Sequence, residues 1–257
     1  MATILITGSS DGIGRHTAQV LAAGGHRVTL HARDERRAED ARKAVPAAAG
    51  VLVGDLSSLA QTRELARQAV AAGPFDVVIH NAGVGGGQRA PELTEDGLER
   101  IFQVNTLAPY LLTALMPVPA RLIYLTSGLE SAGRARLDDA QWRARPWDGM
   151  QAYSDSKLYD VMLAFAVAQR WPGTLSNAVD PGWIRTRLGG PQATDDLPAG
   201  AETQVWLATS DEPAATVTGQ YFKRRTSLTA NPQAYDEGLR ERLLALCAEL
   251  TGVAMPA

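Results

Sequence analysis

Cysteine is almost missing from this chain of 257 residues: Cys247 stands alone, which excludes an internal disulfide framework and a cysteine-rich zinc site. Histidine is scarce too, and His16, His26, His31 and His80 show no metal-ligand spacing, so no metal is expected. Neither sign of charge dominates. The 25 basic and 28 acidic residues leave a formal net charge of −3, so no global field draws the chain to nucleic acid or an anionic membrane. No apolar run reaches the ~20 residues that span a bilayer. The N-terminal residues lack a basic stretch followed by an apolar segment and a cleavage site. What is present is ordinary globular material, 45% hydrophobic and 21% charged. The expectation is a cytoplasmic protein with a small-molecule partner and no nucleic-acid or membrane partner; a monomer and a homo-oligomer are equally compatible with it.

Short apolar runs alternate with longer amphipathic stretches. Strands are expected at Thr3–Thr7, Arg27–Ala32, Val51–Val53, Phe75–His80, Arg121–Thr126, Leu175–Val179 and Gly219–Phe222. Helices are expected at Gly12–Ala23, Glu35–Ala44, Leu59–Ala72, Thr94–Met116, Ala152–Arg170, Ala201–Leu207 and Glu237–Leu250. Pro117 and Pro119 cut the fourth helix short. The pattern predicts an α/β fold: one doubly wound, Rossmann-like parallel sheet of about seven strands, helices on both faces, in one domain over residues 1–257. Two long segments, 128–150 and 183–200, each follow the carboxyl end of a strand, where open α/β sheets bind ligands. The second, rich in Gly and Pro, is expected to be a mobile lid.

The first strand leads into T-G-S-S-D-G-I-G at 7–14, where Gly8, Gly12 and Gly14 allow a sharp turn and a close approach of backbone to a pyrophosphate at a helix start. Ser10 adds a hydroxyl and Ile13 sits within the turn. Asp11 is unusual beside an anion and is expected to point outward as a helix cap. A ribose 2′-hydroxyl is usually held by an acidic residue roughly 20 positions on. Here Ala32 and Arg33 fill that place, Arg33 nineteen residues after Gly14. A guanidinium suits a 2′-phosphate, so NADP(H) is expected in preference to NAD(H). Asp34 reads as the cap of the next helix.

Further on, Y-S-D-S-K sets Tyr153 and Lys157 four apart on one helical face, where an ammonium can favour the phenolate of a tyrosine that otherwise titrates near ~10. Trp142, Trp147, Met150 and Trp183 flank the same region and are candidates for an apolar substrate wall.

With the glycine turn and the Tyr–Lys pair in place, the chain resembles the short-chain dehydrogenase/reductase family. Further landmarks in family order are Asp55-Leu56, Asn81-Ala82-Gly83, Asn105, Thr126-Ser127 and P-G-W-I-R-T at 181–186. The resemblance implies that Ser127 orients a carbonyl, Tyr153 transfers the proton, and Lys157 binds the nicotinamide ribose and lowers the tyrosine pKa. It implies that Asn105 holds a water linking Lys157 to solvent. Asp55 and Leu56 would meet the adenine, and Asn81, Ala82 and Gly83 would pass beneath the cofactor. Pro181, Gly182, Ile184 and Thr186 would hold the carboxamide and diphosphate. Ser127 and Tyr153 lie 26 residues apart, and with Arg33 and Tyr221-Phe222 this is similar to the retinol-dehydrogenase-like branch. The implied activity is NADP-dependent reduction of a ketone or oxidation of a secondary alcohol, lipophilic or aromatic. The alternative is an NADP(H)-binding sensor or scaffold without turnover. An epimerase would need a larger C-terminal region than the 100 residues after Lys157.

Overall fold

Along the first strand, β1 (Thr3–Ile6), Ile4 and Ile6 enter one buried cluster while Leu5 enters another, the alternation of a strand covered on both faces. The next sheet members repeat the split. Val77 and Ile79 oppose Val78 on β4 (Val77–His80), and Ile123 and Leu125 oppose Leu122 and Tyr124 on β5 (Arg121–Leu125). A computed structural model describing residues 1–257 completes the sheet with β2 (Arg27–Ala32), β3 (Gly50–Val53), β6 (Leu175–Val179), β7 (Tyr221–Lys223) and β8 (Thr226–Leu228). The order is β3-β2-β1-β4-β5-β6-β7-β8, with only the β7–β8 pairing antiparallel. Strand order therefore reverses between β1 and β4, the switch point at which such sheets open a crevice.

Helices α1 (Gly12–Ala23), α2 (Glu35–Ala44) and α7 (Leu197–Thr209) cover one face. On the other lie α3 (Leu59–Ala72), α5 (Ala108–Leu115), α6 (Gly149–Arg170) and α8 (Glu237–Thr251). Side-chain caps fix where they begin: Asp34 Oδ1 accepts from Arg37 N at 2.8 Å, Asp148 Oδ1 from Gln151 N at 3.0 Å, and Asp236 Oδ1 from Leu239 N at 3.0 Å. Helix α6 is buried almost all round because it lies between the sheet and α8. No helix is long and apolar enough to cross a membrane.

Three expectations change. The sheet has eight strands instead of about seven. Between β7 and β8 the chain reverses through Arg224 and Arg225 at φ +48° and +58°, a turn whose usual signal is Asn-Gly. Second, the helix expected over Thr94–Met116 starts only at α4 (Arg100–Phe102), because Glu99 caps it by accepting from Ile101 N and Phe102 N. The 103–107 turn then widens to a π-helix that carries Asn105 before α5 resumes. Third, the segment expected as a loop to residue 200 gives way to α7 at Leu197, capped by Asp196.

Candidate active site

At the end of β1 the chain turns so tightly that only glycine fits. Gly8 has φ +63°, and a Cβ there would lie 2.8 Å from Ala82 Cα. A Cβ on Gly14 would collide with the Asn81 amide and lie 2.7 Å from Gly8 O. Asn81, just past β4, donates through Nδ2 to Thr7 O at 2.8 Å and Gly8 O at 3.1 Å, and Ala82 N donates to Thr7 Oγ1. The two strands flanking the switch point are thus tied at their tips. The bare backbone at the start of α1 forms a cradle that suits a pyrophosphate.

His31 completes this turn, and no sequence signal marked it. From buried β2 its Nδ1 accepts from Gly8 N at 2.9 Å, so the neutral ring can donate Nε2–H to Gly54 O at 2.8 Å. Burial pulls its pKa down, in keeping with that neutral form. Ser9 Oγ joins the brace by accepting from His31 N.

Asp11 caps α1, accepting from Gly12 N at 2.8 Å, and its carboxylate faces Arg15 at 3.6 Å and Arg187 at 3.3 Å. Ser10 and Ile13 are half-buried. Arg33 lies past β2 with its side chain 55% exposed, resting on Asp34 at 3.2 Å, and no carboxylate stands in the preceding position. Asp55 Oδ1 accepts from Ser57 N and Ser57 Oγ, and Leu56 is buried.

Ser127, Tyr153 and Lys157 open onto one cavity of about 900 Å3. Ile13, Asn81, Gly83, Pro181, Gly182, Ile184 and Thr186 line it as well, so residues scattered from 13 to 186 meet in one place. Ser127 stands two residues past β5 and caps a short 3-10 turn, its Oγ accepting from Leu129 N at 3.3 Å. Gly182 turns at φ +95° with its N–H on Asp180 Oδ1, and Thr186 reaches back toward Gly12. The Lys157 Nζ lies 5.8 Å from the centre of the Tyr153 ring and donates to Leu125 O at 3.0 Å and Asp160 Oδ2 at 2.7 Å. Burial lowers the Lys157 pKa, but the charge and hydrogen bond of the facing Asp160 carboxylate, together with negative charge on the Tyr153 oxygen, raise it by more.

Asn105 does not open onto the cavity. Both of its amide N–H groups are spent, on Val84 O and on Ser156 Oγ at 3.0 Å each, and its oxygen accepts from Val84 N at 2.8 Å. It braces the segment after Gly83 against α6.

The apolar wall differs in part from expectation. Trp183 and Met150 line the cavity, joined by Leu129 and Leu188; these four are 52%, 52%, 41% and 55% exposed, respectively. Trp142 and Trp147 do not. Trp142 is buried with Ile101 and Ala152, 5.5 Å from Trp147, and Arg145 stacks on it at 3.5 Å. Those tryptophans anchor the 128–150 segment to the body. Asp180 and Lys223, paired at 2.8 Å, add a polar edge to the cavity that sequence reading missed.

A family model described as short chain dehydrogenase matches residues 2–127. An uncharacterized oxidoreductase of Emericella nidulans is 44% identical over all of this chain and 99% of its own length. A Streptomyces protein named as a candidate daunorubicin C-13 ketoreductase is 35% identical, with 97% of this chain and 92% of its own covered. Human retinol dehydrogenase 13 is 33% identical over 99% of this chain and 86% of its own. Among solved structures, an uncharacterized protein from Mycobacterium paratuberculosis superposes with a TM-score of 0.85 at 29% identity, covering 100% of this chain and 96% of that one.

Proposed function

The chain belongs to the short-chain dehydrogenase/reductase family, and from that premise we propose that it moves hydride between NADP(H) and a lipophilic or aromatic ketone or secondary alcohol. The observation that carries the reading is the convergence of Ser127, Tyr153 and Lys157 on one cavity whose outer wall is exposed Trp183, Met150, Leu129 and Leu188. Apolar surface left open around a polar catalytic floor favours a substrate with an apolar body and one carbonyl. The ketoreductase and retinol dehydrogenase names among the relatives agree with that class.

NADP(H), when bound, supplies or accepts the hydride at the nicotinamide. The backbone cradle at Gly8–Gly14 would hold its pyrophosphate, and Arg33, with no acid before it, would meet the 2′-phosphate. In the reducing direction Ser127 Oγ donates to the substrate carbonyl oxygen and fixes its orientation. Tyr153 then gives its hydroxyl proton to that oxygen as it becomes an alcohol, and the phenolate left behind is favoured by the Lys157 ammonium. In the oxidising direction the same phenolate takes the alcohol proton. Asn105 keeps Gly83 and Val84 in place beside the reacting groups, and a water linking Lys157 to solvent would complete proton resupply.

A panel of ketones and alcohols followed by NADPH absorbance, with NADH in parallel, tests the proposal. Turnover of bulky apolar carbonyls with NADPH is expected. Tight NADPH binding without turnover on any member would instead support a sensor.

A further inference from the structure

Helix α6 carries a second ionised side chain beside the reacting pair. Asp160 stands three residues after Lys157, and its carboxylate meets the ammonium at 2.7 Å with each side chain only 5% exposed. The contact is an i, i+3 pair on one helix face, out of reach of solvent screening. We propose that Asp160 is a positioning residue for Lys157: its carboxylate holds the ammonium in place and offsets its charge, so that Tyr153 ionises at a higher pH than it would beside a free lysine. This inference rests on the reading of Tyr153 as the reacting phenol.

The surroundings leave Asp160 as the counter-ion. Lys157 Nζ has three N–H groups; Leu125 O takes one and Asp160 another, which leaves one for the cavity side. The titratable groups packed around the pair are Tyr153 on α6, Tyr124 on β5 and His80 on β4, while across the shared cavity the charged groups are already paired, Asp180 with Lys223 at 2.8 Å and Arg187 with Asp11 at 3.3 Å. Burial keeps Tyr124 protonated and pulls His80 down to about 3, so both are neutral across the working range. The 103–107 turn and α5, packed against the same spot, bring Asn105 and apolar side chains but no charge. Asp155, the other acid nearby on α6, turns away to Arg145 at 2.9 Å. Burial raises the Asp160 carboxyl to about 6, with Lys157 opposing, so above that pH the couple is ionised and nearly neutral in sum. A cation beside a phenol stabilises the phenolate; a carboxylate on that cation weakens the effect.

The test measures the tyrosine directly and the reaction separately. The Tyr153 ring carbon bearing the hydroxyl, labelled with 13C and identified with Tyr153→Phe, is titrated by NMR in the full-length protein and in Asp160→Asn. Alcohol oxidation with NADP+ is profiled against pH in the same pair. Removing the carboxylate charge should move both midpoints toward acid by on the order of one pH unit. Asp160→Glu, which keeps the charge, should restore the original midpoint. A folded Asp160→Asn protein whose tyrosine midpoint has not moved overturns the inference. Asp160→Ser carries the same reading if the asparagine variant does not fold. Absence of turnover in the unmodified protein would strike the proposed function alone, because the NMR titration still decides whether Asp160 governs the phenol.

Discussion

Single side chains carry the sharpest tests, because proton transfer and phosphate recognition each come down to one or two atoms. Tyr153→Phe should abolish carbonyl reduction while NADPH affinity stays within a few-fold, since the ring still packs and only the transferable proton is gone; near-normal kcat in steady-state assays would remove Tyr153 from the mechanism. Arg33→Ala should weaken NADPH by roughly ten- to a hundred-fold, the worth of a charge-assisted contact of ~1.5–3 kcal/mol, and leave NADH nearly unchanged. Fluorescence titration with both cofactors checks this, and equal losses would make Arg33 structural. As candidates these two were legible from spacing alone, since Tyr153 stands four residues before Lys157 and Arg33 nineteen after Gly14. His31 and Asp160 were not. His31 reaches Gly8 across two neighbouring strands, from 23 positions further along the chain. A lone aspartate in a helix reads as a solvated face until packing buries it against Lys157.

Elements follow their own logic, and the segment after β6 shows where sequence patterning stops. Its glycines and prolines suggested a lid over 183–200, yet its base is closed. Asp195 N donates to Trp183 O and Arg185 N to Asp195 O, each at 3.0 Å, while Ile184 and Ala193 are buried. The tip between them is held more lightly: Leu188 is 55% exposed and Arg187 makes only a surface ion pair with Asp11. Of its hydrogen bonds, Gly189 N to Thr186 Oγ1 and Gly190 N to Thr186 O stay within the tip, and Trp183 Nε1 donates to Gly189 O. The expected mobile unit is therefore residues 186–192. Hydrogen exchange should be fast there in the free protein and slow on adding NADPH with a substrate analogue, while 183–185 and 193–195 stay protected in both states. Exchange that is slow at the tip without ligand would make the segment a fixed scaffold. The regular strands and helices were readable because their apolar periods are strong. The π-turn at 103–107 and the Arg224–Arg225 reversal were not, since neither carries the residues that usually mark such geometry.

At the scale of the whole molecule, the parallel sheet with both faces covered forces polar groups into places where water cannot reach them. His80 ends β4 beneath α5, with Nε2 bonded to Thr113 Oγ1 at 3.0 Å and Nδ1 without a partner. Burial holds its pKa down to about 3. A group whose folded pKa is depressed contributes stability that is complete above its unfolded pKa of about 6.5 and is lost as pH falls toward the folded value. One unit below 6.5 the loss from this ring is about 1.4 kcal/mol, or roughly 3–6 °C in Tm for a chain of this size. His31, depressed by the same burial, adds a loss in the same direction. Asp160 works the other way. Its folded pKa of about 6 lies above the ordinary aspartate value, so its burial cost diminishes as pH falls through 6. Net melting data would mix these opposing contributions, so His80 is isolated by difference. His80→Gln keeps a group able to reach Thr113 and cannot titrate, so between pH 7.5 and 5.5 its Tm should fall less than that of the unmodified protein, by roughly 3–6 °C at the acid end. Calorimetry at matched ionic strength measures both proteins. Parallel curves would mean that the buried imidazole does not set the acid stability of the fold.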